Sequence, residues 1–393
     1  MLPVDPECAQ QVKFKKTAVT AHRDASKTEK NLFNGRNAPG QLRYNVAFFK
    51  GDLTMRCLVA FLSIVAFATD LAAQAQPKKI LLSNPDQELL KALQSVTPQA
   101  KVIQVTQQNV MQEIVDADGF IGEITSEQVR AGKKLKWVQT MSAGVERLLH
   151  LSGGTALRDS DILLTNNQIV QGPEIADHAM AMLLTLSRGI HTFLNHKQQE
   201  LWQPRPYEGI ELNGRTAVVI GVGGIGTQIA FRAWAHGMSV IGVDPEDIPY
   251  MPILKKLVKP DQLDTVLPEA DVVFVSAPHT PMSDKMMGPK QFERMKKGSY
   301  FIAVSRGGLY DLNGLVSALE THQLAGAGVD VTSPEPLPKG HPLWKCANAI
   351  ITPHIAGRSD KDRDRMVGTI KENIRRFAEG KPLLNVVDKQ KGY

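Results

Sequence analysis

Between residues 214 and 226 the chain reads Gly-Arg-Thr-Ala-Val-Val-Ile-Gly-Val-Gly-Gly-Ile-Gly, and few folds have a use for that order. The apolar run Ala217–Ile220 predicts a buried strand, and Ile225–Ala235 predicts a helix. Between them, Gly221, Gly223 and Gly226 make a G-x-G-x-x-G turn, with Gly224 and Ile225 opening the helix. Gly221 permits a tight strand-to-helix turn, Gly223 lets a pyrophosphate approach the backbone, and Gly226 lets helix and strand pack closely. The helix start offers unpaired N–H groups and a partial positive charge to phosphates. A second strand is expected at Ser239–Val243, and Asp244, 18 residues after Gly226, ends it. A carboxylate there bonds both ribose hydroxyls and repels a 2′-phosphate, so the expected cofactor is NAD rather than NADP. The alternative is a glycine-rich turn of an α/β domain without ligand.

Strand-like runs recur on both sides of this turn. Before it lie Lys79–Leu82, Lys101–Val105, Gly119–Ile121, Trp137–Thr140 and Asp161–Thr165; after it lie Asp271–Ser276, Tyr300–Val304, Ala327–Val331 and Ala349–Thr352. Helical stretches separate them, which predicts doubly wound parallel α/β architecture. The 393 residues, 42% hydrophobic and 22% charged, suit two globular domains plus extra segments.

Three segments at strand ends carry polar chemistry. They are Ala303-Val-Ser-Arg306-Gly-Gly, Gly328-Val-Asp330-Val-Thr-Ser-Pro-Glu335, and Thr352-Pro-His354-Ile-Ala-Gly357. Hydride transfer from a dinucleotide to a carbonyl carbon needs a proton for the developing alkoxide. A histidine, which ordinarily titrates near neutrality, can give that proton and take it back. A neighbouring carboxylate orients the ring and stabilises imidazolium, and a guanidinium can clamp a carboxylate at two points.

With the glycine turn, these segments closely resemble the D-isomer-specific 2-hydroxyacid dehydrogenase family, from about Lys78 to Lys381. The Arg-to-Glu spacing of 29 and the Glu-to-His spacing of 19 match its pattern. The resemblance implies that Arg306 binds substrate, Glu335 is the supporting acid and His354 the acid/base. It makes Ser142-Ala143-Gly144-Val145 a substrate loop whose amides hold a carboxylate, the alternative being an ordinary strand–turn–helix corner. It sets Pro278 and Thr280 along the cofactor and Asp330 near the nicotinamide amide. Asn166–His178 matches the hinge before a long interdomain helix, expected from Ile175 to about His196, with His178 a packed hinge residue. The family often has Asn three residues before the arginine; here Ala303 stands there.

The implied fold is two Rossmann-like doubly wound domains, with an NAD-binding domain (176–356) inserted in a flavodoxin-like substrate domain (78–175 and 357–393). It also implies a homodimer acting on a small 2-oxo or 2-hydroxy acid. The chain stops soon after its last expected helix, with no added regulatory domain, so glyoxylate, hydroxypyruvate or D-lactate rank first. A non-catalytic NAD-sensing or corepressor-like protein of the same fold is the alternative, and an exported organic-acid-binding protein a third.

The formal charge is +6, but residues 1–54 hold nine Lys/Arg against five Asp/Glu, so most of the excess sits there. No basic stripe with interleaved aromatics appears, which argues against nucleic acid. Cys8, Cys57 and Cys346 form no CxxC pair, and no Cys/His cluster has metal-ligand spacing, so no metal is expected. Met55-Arg56, the twelve-residue apolar run Cys57–Ala68 and Ala73-Gln-Ala75 describe a secretory signal peptide at 55–75. On that reading translation starts at Met55, residues 1–54 are a disordered or mis-assigned extension, and the product is exported with no membrane span. An internal core helix is the alternative, with a cytoplasmic location.

Overall fold

The computed structural model describes residues 76–151, 155–205 and 209–393. The expected extension and signal peptide at 1–75 lie outside the described residues. Among those, no helix is long and apolar enough to cross a membrane.

Strands β1 (Lys78–Ser83), β2 (Ala100–Val105), β3 (Gly119–Ile121), β4 (Trp137–Gln139) and β5 (Leu163–Thr165) form a parallel sheet of order β2-β1-β3-β4-β5. Both faces are covered, so the middle of β1 and all of β3 are continuously apolar rather than alternating. Leu81 packs with Phe120, Val138 and Leu164 on one face. Ile80, Leu82 and Trp137 pack on the other, against Ile370 and Ile374 of helix Asp362–Ala378. A buried polar network fixes that helix. Asn373 Nδ2 and Thr165 Oγ1 both donate to Gln139 Oε1, at 2.9 and 2.7 Å, and Leu384 N donates to Asn373 Oδ1 at 2.8 Å. Buried amides without such partners would each cost about 1–3 kcal/mol.

Strands β6 (Thr216–Ile220), β7 (Ser239–Val243), β8 (Leu254–Val258), β9 (Val272–Val275), β10 (Ser299–Ala303), β11 (Leu324–Val329) and β12 (Ala349–Ile351) form a second parallel sheet. Its order is β12-β11-β10-β9-β6-β7-β8. The chain direction across the sheet reverses between β6 and β9, which opens a crevice at the carboxyl ends of those strands. The two doubly wound parallel sheets are the expected α/β fold.

Two local expectations are corrected. The single helix expected from Ile175 to His196 is two, Gly172–Ser187 and Ile190–Gln198. Gly189 breaks it with φ +59, a left-handed turn that glycine adopts freely. β8 was not expected, because Lys255 and Lys256 are exposed at this sheet edge and interrupt its apolar pattern.

Candidate active site

The sheet order sets the expected residues side by side. Reading across it, Asp244 follows β7, the glycine turn follows β6, Pro278 and Thr280 follow β9, Arg306 follows β10, Asp330 and Glu335 follow β11, and His354 follows β12. All stand at carboxyl ends of neighbouring parallel strands, along one crevice.

The glycine turn is built as its sequence demands. Gly221 has φ +84, and a Cβ there would stand 2.5 Å from Ala277 Cα. A Cβ on Gly226 would overlap the Gly221 carbonyl oxygen, whereas one on Gly223 meets nothing within 4 Å. The backbone at Gly223 therefore borders open space, at the start of helix Gly224–Ala235. That combination of an open cradle and unpaired helix amides fits a dinucleotide pyrophosphate. Ser276 Oγ donates to Gly221 O at 2.8 Å and ties the β9 loop to the turn. Asp244 is 8% exposed; its carboxylate accepts from Val222 N at 2.7 Å and Glu246 N at 2.9 Å, which holds it beside the turn.

At the other end of the crevice, Glu335 Oε2 lies 2.9 Å from His354 Nδ1, and Glu335 Oε1 accepts from Thr332 N at 3.0 Å. Both side chains are partly exposed. His354 has φ +54, a region sparsely populated by residues with a side chain. Asp330 holds it there. Its Oδ1 accepts from Thr352 Oγ1 at 2.6 Å and Ile355 N at 2.9 Å, and its Oδ2 from Ala356 N at 2.9 Å. His354 N donates to Asp330 O at 2.8 Å. Asp330 is 2% exposed, so its observed work is to shape the histidine loop. His178 Nε2 lies 2.9 Å from Thr352 Oγ1 and braces that loop from the hinge. Tyr310 Oη donates to Val331 O at 2.7 Å, while burial and then the Glu335 charge push its phenol well above the usual range, keeping it a neutral donor.

Arg306 reaches across to the first sheet. Its Nε donates to Glu146 Oε1 at 2.6 Å, its Nη1 donates to Ser305 O at 2.7 Å, and its Nη2 lies against Gly144, where a Cβ would overlap it. The guanidinium therefore meets the Ser142–Val145 loop, expected to hold substrate, at Gly144. Gly144 N donates to Ser142 Oγ at 3.2 Å, a hydroxyl that can rotate away, and Ala143 O accepts from Asn166 Nδ2 at 2.7 Å. Sequence reasoning missed Glu146. Its partner lies 160 residues away, and no local pattern marks the pair.

Residues 180–356 match the family model described as the D-isomer specific 2-hydroxyacid dehydrogenase NAD binding domain. A glyoxylate reductase of Korarchaeum cryptofilum is 30% identical over 298 residues, covering 72% of this chain and 86% of that protein. A D-3-phosphoglycerate dehydrogenase of Methanocaldococcus jannaschii is 30% identical over 322 residues, covering 79% of this chain; the chain spans 59% of that relative's length. It likewise spans half the length of the matching enzyme of Archaeoglobus fulgidus. The crystal structure of a D-isomer specific 2-hydroxyacid dehydrogenase from Xanthobacter autotrophicus, in complex with NADPH and MES, superposes with TM-score 0.70 at 26% identity. That match covers 81% of this chain and all of the other. With its glycine turn, its strand-end arginine, acid and histidine, and these relatives, the chain belongs to the D-isomer specific 2-hydroxyacid dehydrogenase family of NAD(P)-dependent oxidoreductases.

Proposed function

We propose that this protein reduces a small 2-oxo acid at C2 with NADH, and in reverse oxidises the D-2-hydroxy acid. The observation that carries this is the row of strand ends running from Asp244 past the glycine turn to Arg306, Glu335 and His354. A dinucleotide laid along that row has its ribose at Asp244, its pyrophosphate on the amides of Gly221–Gly226 and its nicotinamide toward the histidine. When bound, NADH supplies the hydride.

The chain's own residues do the rest. Arg306 Nη2, which lies beside Gly144, holds the substrate carboxylate together with the amides of the Ala143-Gly144 loop. His354 donates its proton to the oxygen on C2 as negative charge develops, and Glu335 stabilises the resulting imidazolium. Asp330 and His178 keep the imidazole in place. Asp244 faces the ribose with a carboxylate, which favours NADH over NADPH. Glyoxylate and hydroxypyruvate rank first as substrates, with D-lactate next in the reverse direction. Absorbance at the NADH band with a panel of short 2-oxo acids tests this; consumption of glyoxylate or hydroxypyruvate supports it, and oxidation with none of them refutes it.

We also assign a homodimer built on the NAD-binding domain. Ile190, Leu194, Leu201 and Trp202 are exposed in one stretch of it, and Phe231 and Trp234 on helix Gly224–Ala235. Apolar area of this kind asks for a partner. Light scattering that returns the monomer mass would remove the assignment.

A further inference from the structure

We propose that the segment Lys389–Tyr393 is a strap across the dinucleotide groove, latched by Lys391 and Tyr393, that governs how fast nucleotide enters and leaves.

The two loops that flank the glycine turn follow β9 and β7, because these strands are the neighbours of β6. The strap touches both. Lys391 Nζ and Tyr393 Oη each reach Glu246 Oε1 at 2.7 Å, on the β7 side and two residues beyond Asp244. Gly392 lies against Thr280 on the β9 side, where a Cβ would come within 3.5 Å of Thr280 Cγ2. Residues 391–393 thus cross the crevice above the turn, over the place where the adenosine half of the cofactor would lie.

Its root and its tip are held differently. At the root, Val387 N donates to Leu164 O at 2.8 Å. The half-buried ammonium of Lys389 donates to the carbonyls of Leu157, Ser160 and Ile162, all in the first domain. At the tip, the Lys391–Glu246 pair is about half exposed on each side, and ion pairs of that exposure are weak and easily exchanged with water. Between them, Asp388 closes a compact turn: its Oδ1 accepts from Gln390 N and Lys391 N, both at 3.0 Å, and its N donates to Tyr393 O at 3.0 Å. A firmly rooted turn with a weakly held tip is built to open and close as a unit. Burial, then the bond to Glu246, pushes the Tyr393 phenol up, so it remains a hydrogen-bond donor throughout the neutral range. Beside Gly392, the buried His150 Nε2 has no hydrogen-bond partner among the described residues.

The strap rests on the dinucleotide reading of the groove, and one experiment separates the two. NADH binding to the full chain is followed by stopped-flow fluorescence for wild type, for Lys391→Ala with Tyr393→Phe, and for Glu246→Gln, which loosens the same contact from the opposite side. A gate that closes equally over the empty and the filled groove slows entry and exit alike. Both variants are therefore expected to raise the association and release rate constants together, about fivefold or more, with Kd within about twofold of wild type. Rate constants that do not rise together, including release that accelerates alone with Kd weakened to match, overturn the strap while leaving the cofactor reading intact. A wild-type chain that binds no NADH overturns both.

Discussion

Arg306 and Glu146 join the two domains at 2.6 Å, guanidinium Nε to carboxylate Oε1, directly beside Gly144. Both side chains are largely buried, 25% and 13% exposed, so the pair is shielded from the screening that weakens surface ion pairs. We therefore assign Glu146 as a positioning residue for Arg306, the arginine proposed to bind substrate. Glu146→Ala should raise KM for the 2-oxo acid about tenfold or more, the scale of a hydrogen bond to a charged group, with a smaller change in kcat and none in NADH affinity. Glu146→Gln, which keeps an acceptor for Nε, should recover most of the loss. Equal losses in KM, kcat and thermal midpoint would reduce Glu146 to a structural role.

Asp330 governs the histidine loop through its backbone. In Asp330→Asn one carboxylate oxygen becomes an NH2 group that confronts an N–H donor at Ile355 or Ala356, leaving a buried donor unpaired at a cost of about 2 kcal/mol. The thermal midpoint should fall and kcat with it, while NADH affinity holds. Unchanged kcat would show that His354 does not depend on this clamp.

The glycine turn separates packing from ligand contact. Gly226→Ala collides with the Gly221 carbonyl and should lose both the native circular-dichroism spectrum and NADH binding. Gly223→Ala points its methyl into open space. It should fold normally yet weaken NADH about tenfold or more, because the methyl takes room needed by the phosphates. NADH affinity unchanged in Gly223→Ala would move the pyrophosphate elsewhere.

Acid stability should register Asp271, which anchors the starts of β6 and β10. Burial alone would raise its carboxyl, but the Lys296 ammonium at 2.7 Å, the Thr216 amide at 2.9 Å and the Arg215 guanidinium at 3.1 Å together hold it below its ordinary value of 3.8. A depressed carboxyl contributes stability that is present above the unfolded-state value and lost as pH falls through the folded one. Asp271→Asn should therefore be less stable than wild type at pH 7 by about 1–2 kcal/mol, and the gap should close below about pH 4. A gap independent of pH in urea titrations would exclude this charge as its source.

What could be read from sequence divides along physical lines. Gly221 and Gly226 were legible because backbone sterics allow no substitute there, and Gly223 because a pyrophosphate must approach its backbone at the same fixed spacing. Arg306, Glu335 and His354 were legible because each lies a few residues past a strand, at the family's spacing, and each has a distinct chemical task. The Glu146–Arg306 pair, and the Lys391 and Tyr393 bonds to Glu246, were not, because each joins residues 145 or more apart with no periodic pattern to betray them. The Gly189 break was hidden by apolar spacing that runs through it, and β8 by the lysines that protect a sheet edge.

The central claim is that His354 passes a proton to and from the oxygen on C2 while the glycine turn holds the cofactor independently of it. Steady-state NADH oxidation by glyoxylate in wild type and His354→Ala, paired with NADH Kd by fluorescence, tests it most directly. Turnover should fall by about 10²–10⁴ with Kd unchanged. Turnover that survives the substitution would contradict the account.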